Sequence, residues 1–101
     1  MFNIIFSDEY EAATRLITEW RQRAGLSQHA LAARLNRSQG HVHRMETRQR
    51  PIDLVEFCRI AHVTGVSPRE GLDQLLKEWE RSGVALPTAH AEVTLLGGSE
   101  S

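Results

Sequence analysis

Between Arg15 and Arg50 the chain holds eight arginines: Arg15, Arg21, Arg23, Arg34, Arg37, Arg44, Arg48 and Arg50. Only Glu19 and Glu46 oppose them, so residues 15–50 carry +6. Residues 1–14 carry −3 and residues 51–101 carry −4, which brings the whole chain to −1. A near-neutral total argues against a polyanion partner, but this distribution argues for one. Every cation of the middle segment is Arg, whose planar fork suits phosphate oxygens and guanine edges. Other chemistries find no matching residues. His41 and His43 stand two apart, on different sides of a helix, where a shared metal needs a spacing of four. The single Cys58 excludes an internal disulfide framework and a Cys-based zinc finger. It lies between Phe57 and Ala61 on an apolar stripe and reads as a buried structural thiol. Asp53 and Glu56 look like paired carboxylates, yet helix capping explains both. No Ser-His-Asp set, Gly-rich phosphate loop or metal cluster is readable. So small a chain also has little room for a substrate cleft, so neither catalysis nor a cofactor nor a metal is expected.

The elements that position these residues follow from length and periodicity. A chain of 101 residues allows one domain with one modest core. Its 41% hydrophobic and 25% charged residues are ordinary for a soluble globular protein. No apolar run is long enough to span a membrane. Met1 to Phe6 is apolar but lacks the basic flank of a signal peptide. Ser7 can cap a first helix, with Asp8, Glu9 and Glu11 at the positive end of its dipole. Ala13, Leu16, Ile17 and Trp20 form its apolar stripe, and Gly25 ends it. Ser27 caps a short second helix that buries Leu31, Ala32 and Leu35. Asn36 tolerates the left-handed turn that follows. Ser38 opens a third helix from Gln39 to about Thr47, with Val42 and Met45 inward. Asp53 starts the fourth, whose apolar face is Leu54, Phe57, Cys58 and Ala61. Ser67-Pro68-Arg69-Glu70 is a strong start for the fifth, with the stripe Leu72, Leu75, Leu76 and Trp79, ending at Gly83. Phe2–Phe6 and Val93–Leu95 are short β-prone stretches. Residues 84–101 read as a loosely ordered tail. His29, His62 and His90 read as surface residues.

Two short helices joined by a tight turn carry a specific spacing. Counted from Gln28, Ala32 is fifth, Asn36 ninth, Val42 fifteenth and Met45 eighteenth. A helix-turn-helix requires a small residue, a turn former and two apolar residues at those positions. With Ala24-Gly25-Leu26-Ser27-Gln28, Arg44-Met45-Glu46, Asp53-Leu54-Val55-Glu56-Phe57 and Gly65-Val66-Ser67, the chain resembles the phage-repressor family of helix-turn-helix proteins, the Cro/repressor or XRE type. The resemblance covers roughly residues 12–76. It implies an all-α, five-helix, lambda-repressor-like domain over residues 1–83 that binds double-stranded DNA and regulates transcription. By resemblance it works as a homodimer on a pseudo-palindrome, with the third helix in the major groove.

The resemblance also implies roles for residues. Gln28 would bond a phosphate or brace Gln39, and Gln39 would face a base edge, where its amide can pair with adenine. Helix geometry adds Gly40, His43 and Arg44 to the reading side, opposite Val42 and Met45. Ser27, Ser38, Arg37, Arg48 and Arg50 join Gln28 as expected phosphate contacts. Two positions depart from the family pattern. Arg37 stands where an apolar residue is common, and Arg48 where many members have Gly. Leu72, Leu75, Leu76 and Trp79 offer more apolar surface than a small domain buries, so part of this stripe, with the tail or the Phe2–Phe6 segment, is the expected dimer contact. The alternative is an interaction module, such as an antitoxin that binds a toxin or a regulator that binds RNA polymerase. A cytoplasmic, nucleoid-associated protein is expected in either case.

Overall fold

A computed structural model describes residues 7–83, and these form five α-helices with no strand among the described residues. They are α1 (Asp8–Arg23), α2 (Gln28–Leu35), α3 (Gln39–Glu46), α4 (Leu54–Val63) and α5 (Pro68–Ser82). The β-prone stretches Phe2–Phe6 and Val93–Leu95, His90 and the tail lie outside the described residues. No described helix is long and apolar enough to cross a membrane.

Each helix begins as its sequence requires. Ser7, Ser27, Ser38, Asp53 and Ser67 adopt extended backbone. Each accepts the N–H three residues on, from Tyr10, Ala30, His41, Glu56 and Glu70 respectively. Such a cap satisfies a donor the helix cannot use and contributes about 1 kcal/mol. Between α2 and α3 Asn36 turns left-handed (φ 58°), and the Arg37 N–H reaches back to the Ala32 carbonyl at 2.9 Å. This bond and the small Ala32 hold the two helices close and crossed.

Ile17, Trp20, Leu31, Leu35, Val42, Met45 and Ile60 are fully buried at the centre. The Trp20 ring lies tilted on Phe57, with centroids 5.2 Å apart. Its Nε1 donates to Gln74 Oε1 at 2.8 Å, which satisfies the one polar atom of a buried indole. Its far edge rests on Gly71, where a Cβ would stand 2.9 Å from Trp20 Cη2. Only glycine therefore lets α5 approach the tryptophan so closely.

Two expected stripes are corrected. On α4 the buried face is Glu56, Phe57, Ile60 and Ala61, while Leu54 is 71% exposed and Cys58 only half-buried. The helix is phased by Phe57 packing on Trp20, which turns Leu54 outward. On α5 Leu75 is buried, and half-buried Trp79 donates its Nε1 to the Glu9 carbonyl at 3.0 Å. Both side chains hold α5 to its own domain, Leu75 by burial and Trp79 by this bond, which leaves part of the Trp79 ring at the surface. Only Leu72 and Leu76 of that stripe remain exposed.

Candidate nucleic-acid interface

Helix α3 buries Val42 and Met45 completely and thereby turns its other side outward. Gln39, His43 and Arg44 are exposed there, with Gly40 half-buried among them. A Cβ on Gly40 would meet the Arg44 guanidinium at 3.1 Å, the free end of a flexible side chain. Arg44 therefore lies back along the helix over Gly40, in the space that the missing side chain leaves.

The amide of Gln39 is held by a chain of bonds rooted in the domain. Arg21 grips Glu46 with two bonds, Nε to Oε2 at 2.6 Å and Nη2 to Oε1 at 3.0 Å. It also donates Nη1 to the Leu26 carbonyl at 2.9 Å. The Gln28 amide donates Nε2 to Glu46 at 2.9 Å, and the Gln39 amide donates Nε2 to Gln28 Oε1 at 2.8 Å. A carboxylate can only accept, so Gln28 must turn its nitrogen to Glu46 and its oxygen to Gln39. Gln39 must then turn its nitrogen inward, which leaves its oxygen and its second N–H for an outside partner. That donor–acceptor pair is the one an adenine edge requires. Of the two roles expected for Gln28, the structure shows it bracing Gln39.

The positive charge is more divided than the sequence suggests. Arg15 pairs with Glu11 at 2.6 Å and with Glu78, tying α1 to α5, and Arg21 is occupied by Glu46. Arg34 donates to the Val63 carbonyl at 2.9 Å. Arg37, exposed on the turn, stands 3.9 Å from Glu56 Oε1. Beyond α3, Arg48 takes a left-handed conformation (φ 63°), so the helix stops there as it would at a glycine. The Gln49 and Arg50 N–H groups fold back onto the Arg44 carbonyl at 2.8 and 3.1 Å. Arg44 and Arg50 are exposed, as are the capping residues Ser27 and Ser38 at the N-termini of α2 and α3. Helix N-termini are favourable places for phosphate.

Four residues of this arrangement escape a sequence reading: Arg21, Glu46, His41 and Glu56. Glu46 was visible as an acid kept inside a basic segment. His41 and Glu56 gave no signal, because their encounter joins α3 to α4. Both are buried, with His41 Nε2 3.7 Å from Glu56 Oε2, and neither of these atoms makes a hydrogen bond among the described residues. Capping does not explain the Glu56 carboxylate: its N–H donates to Asp53 Oδ1, but among the described residues its side chain faces His41 and Arg37 and makes no return bond to the Asp53 N–H. Burial holds the His41 pKa below its usual 6.5, reinforced by Arg50, Arg37 and Arg44 and opposed by Glu56. The unfolded chain therefore takes up this proton first. The stability contribution of neutral His41 is complete above about pH 6.5 and is lost as pH falls through the lower folded value. Denaturant titrations should show wild-type stability dropping from pH 7.5 to 5.5. His41→Gln should flatten that part of the profile, and an equally steep fall in the variant would remove His41 as the cause.

The chain matches the family model of a helix-turn-helix domain over residues 12–75. Among solved structures it is similar to an XRE-family like protein from Pseudomonas syringae pv. tomato str. DC3000. The two are 36% identical with a TM-score of 0.65, over 69% of this chain and 85% of the other. No curated protein matches the chain.

Proposed function

Because the chain belongs to the XRE-type helix-turn-helix family of DNA-binding regulators, we propose that it is a repressor that reads a pseudo-palindromic operator as a homodimer. In this reading α3 enters the major groove, Gln39 pairs with adenine, and Arg44 and His43 face neighbouring base edges or phosphates. Ser27, Ser38, Arg37, Arg48 and Arg50 border the sugar–phosphate backbone, and half-sites lie about one helical turn, roughly 34 Å, apart. The observation that carries the reading is the Arg21–Glu46–Gln28–Gln39 chain, which presents a fixed amide on the outer side of α3. Leu72 and Leu76, both over 40% exposed on α5, supply the contact between copies. Such a protein works on the nucleoid. No described feature favours a toxin or RNA polymerase as the partner, so the antitoxin reading stays second.

Selection of bound sequences from random DNA tests this directly. Gln39→Ala should relax preference at one position of each half-site, at a cost of about 1–3 kcal/mol. Arg50→Ala should weaken all sequences alike and lower the salt slope by about one. No enriched sequence at any salt concentration would end the repressor reading. Light scattering that finds Leu72→Ser/Leu76→Ser as dimeric as wild type would displace the α5 contact.

A further inference from the structure

The two most exposed large apolar side chains of the described domain, Leu54 (71%) and Val55 (67%), stand side by side at the start of α4. With Cys58, Arg59, His62 and Val63 they line an open groove of about 390 Å³ along α4. Its margin is cationic. Arg59 donates Nη2 to the Leu35 carbonyl at 2.7 Å, and Arg34 donates to the Val63 carbonyl. Among the described residues neither guanidinium pairs with a carboxylate. An apolar floor with unmatched positive charge at its edge fits a segment that is both apolar and acidic.

The chain contains one such segment. Beyond Gly83 lie residues 84–101, which hold Glu92-Val93-Thr94-Leu95-Leu96 and Glu100 and neither Lys nor Arg. Residues 1–6 are apolar but uncharged, and so match only half of the groove. Ser82 and Gly83 flank Glu9 and Ala12 in the first turns of α1. On the same turns the Tyr10 hydroxyl accepts from the Ile52 N–H, two residues before Leu54. Both contacts place the end of α5 and the residues just before Leu54 against the first turns of α1. The eight residues 84–91 reach up to about 26 Å.

We propose that residues 92–96 dock on the α4 groove of their own chain, with Val93, Leu95 and Leu96 on Leu54, Val55 and Cys58 and Glu92 toward Arg59 and Arg34. Docking covers apolar surface that would otherwise invite non-specific association. It also leaves Leu72 and Leu76 of α5 open. Cys58, the only cysteine of the chain, reports on the groove. Its reaction rate with iodoacetamide, followed by mass spectrometry on the full-length protein, measures how often the groove is open. A segment docked about nine-tenths of the time slows that reaction roughly tenfold. Leu95→Ser/Leu96→Ser should restore the fast rate, and Glu92→Gln should restore it partly and reduce its salt dependence. The wild-type rate should not change on dilution. Equal rates in wild type and Leu95→Ser/Leu96→Ser would overturn the proposal. So would protection that disappears on dilution, which would assign the groove to a second copy. Protection removed only by Ile4→Ser/Phe6→Ser would assign it to the N-terminal segment, also against the proposal.

Discussion

Glu46→Ala is expected to cost about 3 kcal/mol of stability and, separately, to blur base preference at the Gln39 position. The stability loss follows from burial. The Glu46 side chain is 5% exposed and that of Arg21 12%, so removing the carboxylate leaves a desolvated guanidinium with only the Leu26 carbonyl. In a domain of this size 3 kcal/mol corresponds to a fall in Tm of roughly 12–24 °C. The loss of preference follows from connectivity, because Gln28 keeps its orientation only while Glu46 accepts from it. The two effects separate in a second variant. Arg21→Met/Glu46→Leu removes both charges and keeps apolar volume, so it should recover much of the stability. It still frees Gln28, so the blurred preference should persist. Calorimetry and sequence selection on the two variants check both halves. Restored preference in the double variant would show that Glu46 acts through the fold alone.

Gly71→Leu is expected to destabilise the domain by about 3 kcal/mol, at the upper end for overpacking. Any Cβ there stands 2.9 Å from Trp20 Cη2, 3.3 Å from Cζ2 and 3.4 Å from the Ala61 methyl. The indole cannot retreat, because it is 1% exposed, packed at a tilt against Phe57 and bonded to Gln74. Gly71→Ala should be milder, since about 1 kcal/mol of helix propensity offsets part of the clash. Trp20→Phe removes the ring edge that meets position 71, and alone it is destabilising by loss of packing and of the Gln74 bond. Combined with Gly71→Leu, it should cost about 1–2 kcal/mol less than the two single changes added together. Denaturation followed by circular dichroism tests this without relying on the altered tryptophan. Strict additivity would mean that the approach of α5 to Trp20 is not the limiting contact.

The parts of this protein legible in its sequence are those that depend on near neighbours along the chain. A cap needs a side-chain oxygen three residues before an N–H, and all five caps are found where serine or aspartate preceded a periodic run. The turn needs a residue that tolerates positive φ, and Asn36 supplies it. Ala32, Val42 and Met45 lie inside because small and apolar residues at that spacing can only pack inward. The outward side of α3, with Gln39, His43 and Arg44, follows as the remainder.

Tertiary structure decided what depends on residues far apart. Arg21 and Glu46 are 25 positions apart, so nothing local shows that one basic residue is an anchor for Gln28 and not a charge for phosphate. His41 meets Glu56 only because α3 and α4 pack together. Leu75 and Trp79 share a stripe with Leu72 and Leu76, yet Leu75 is buried and Trp79 half-buried while the last two stay exposed. Periodicity tells which side of a helix is apolar, but it cannot tell how much of that side its neighbours will cover. Pairings across helices depend on crossing geometry, which no local spacing encodes.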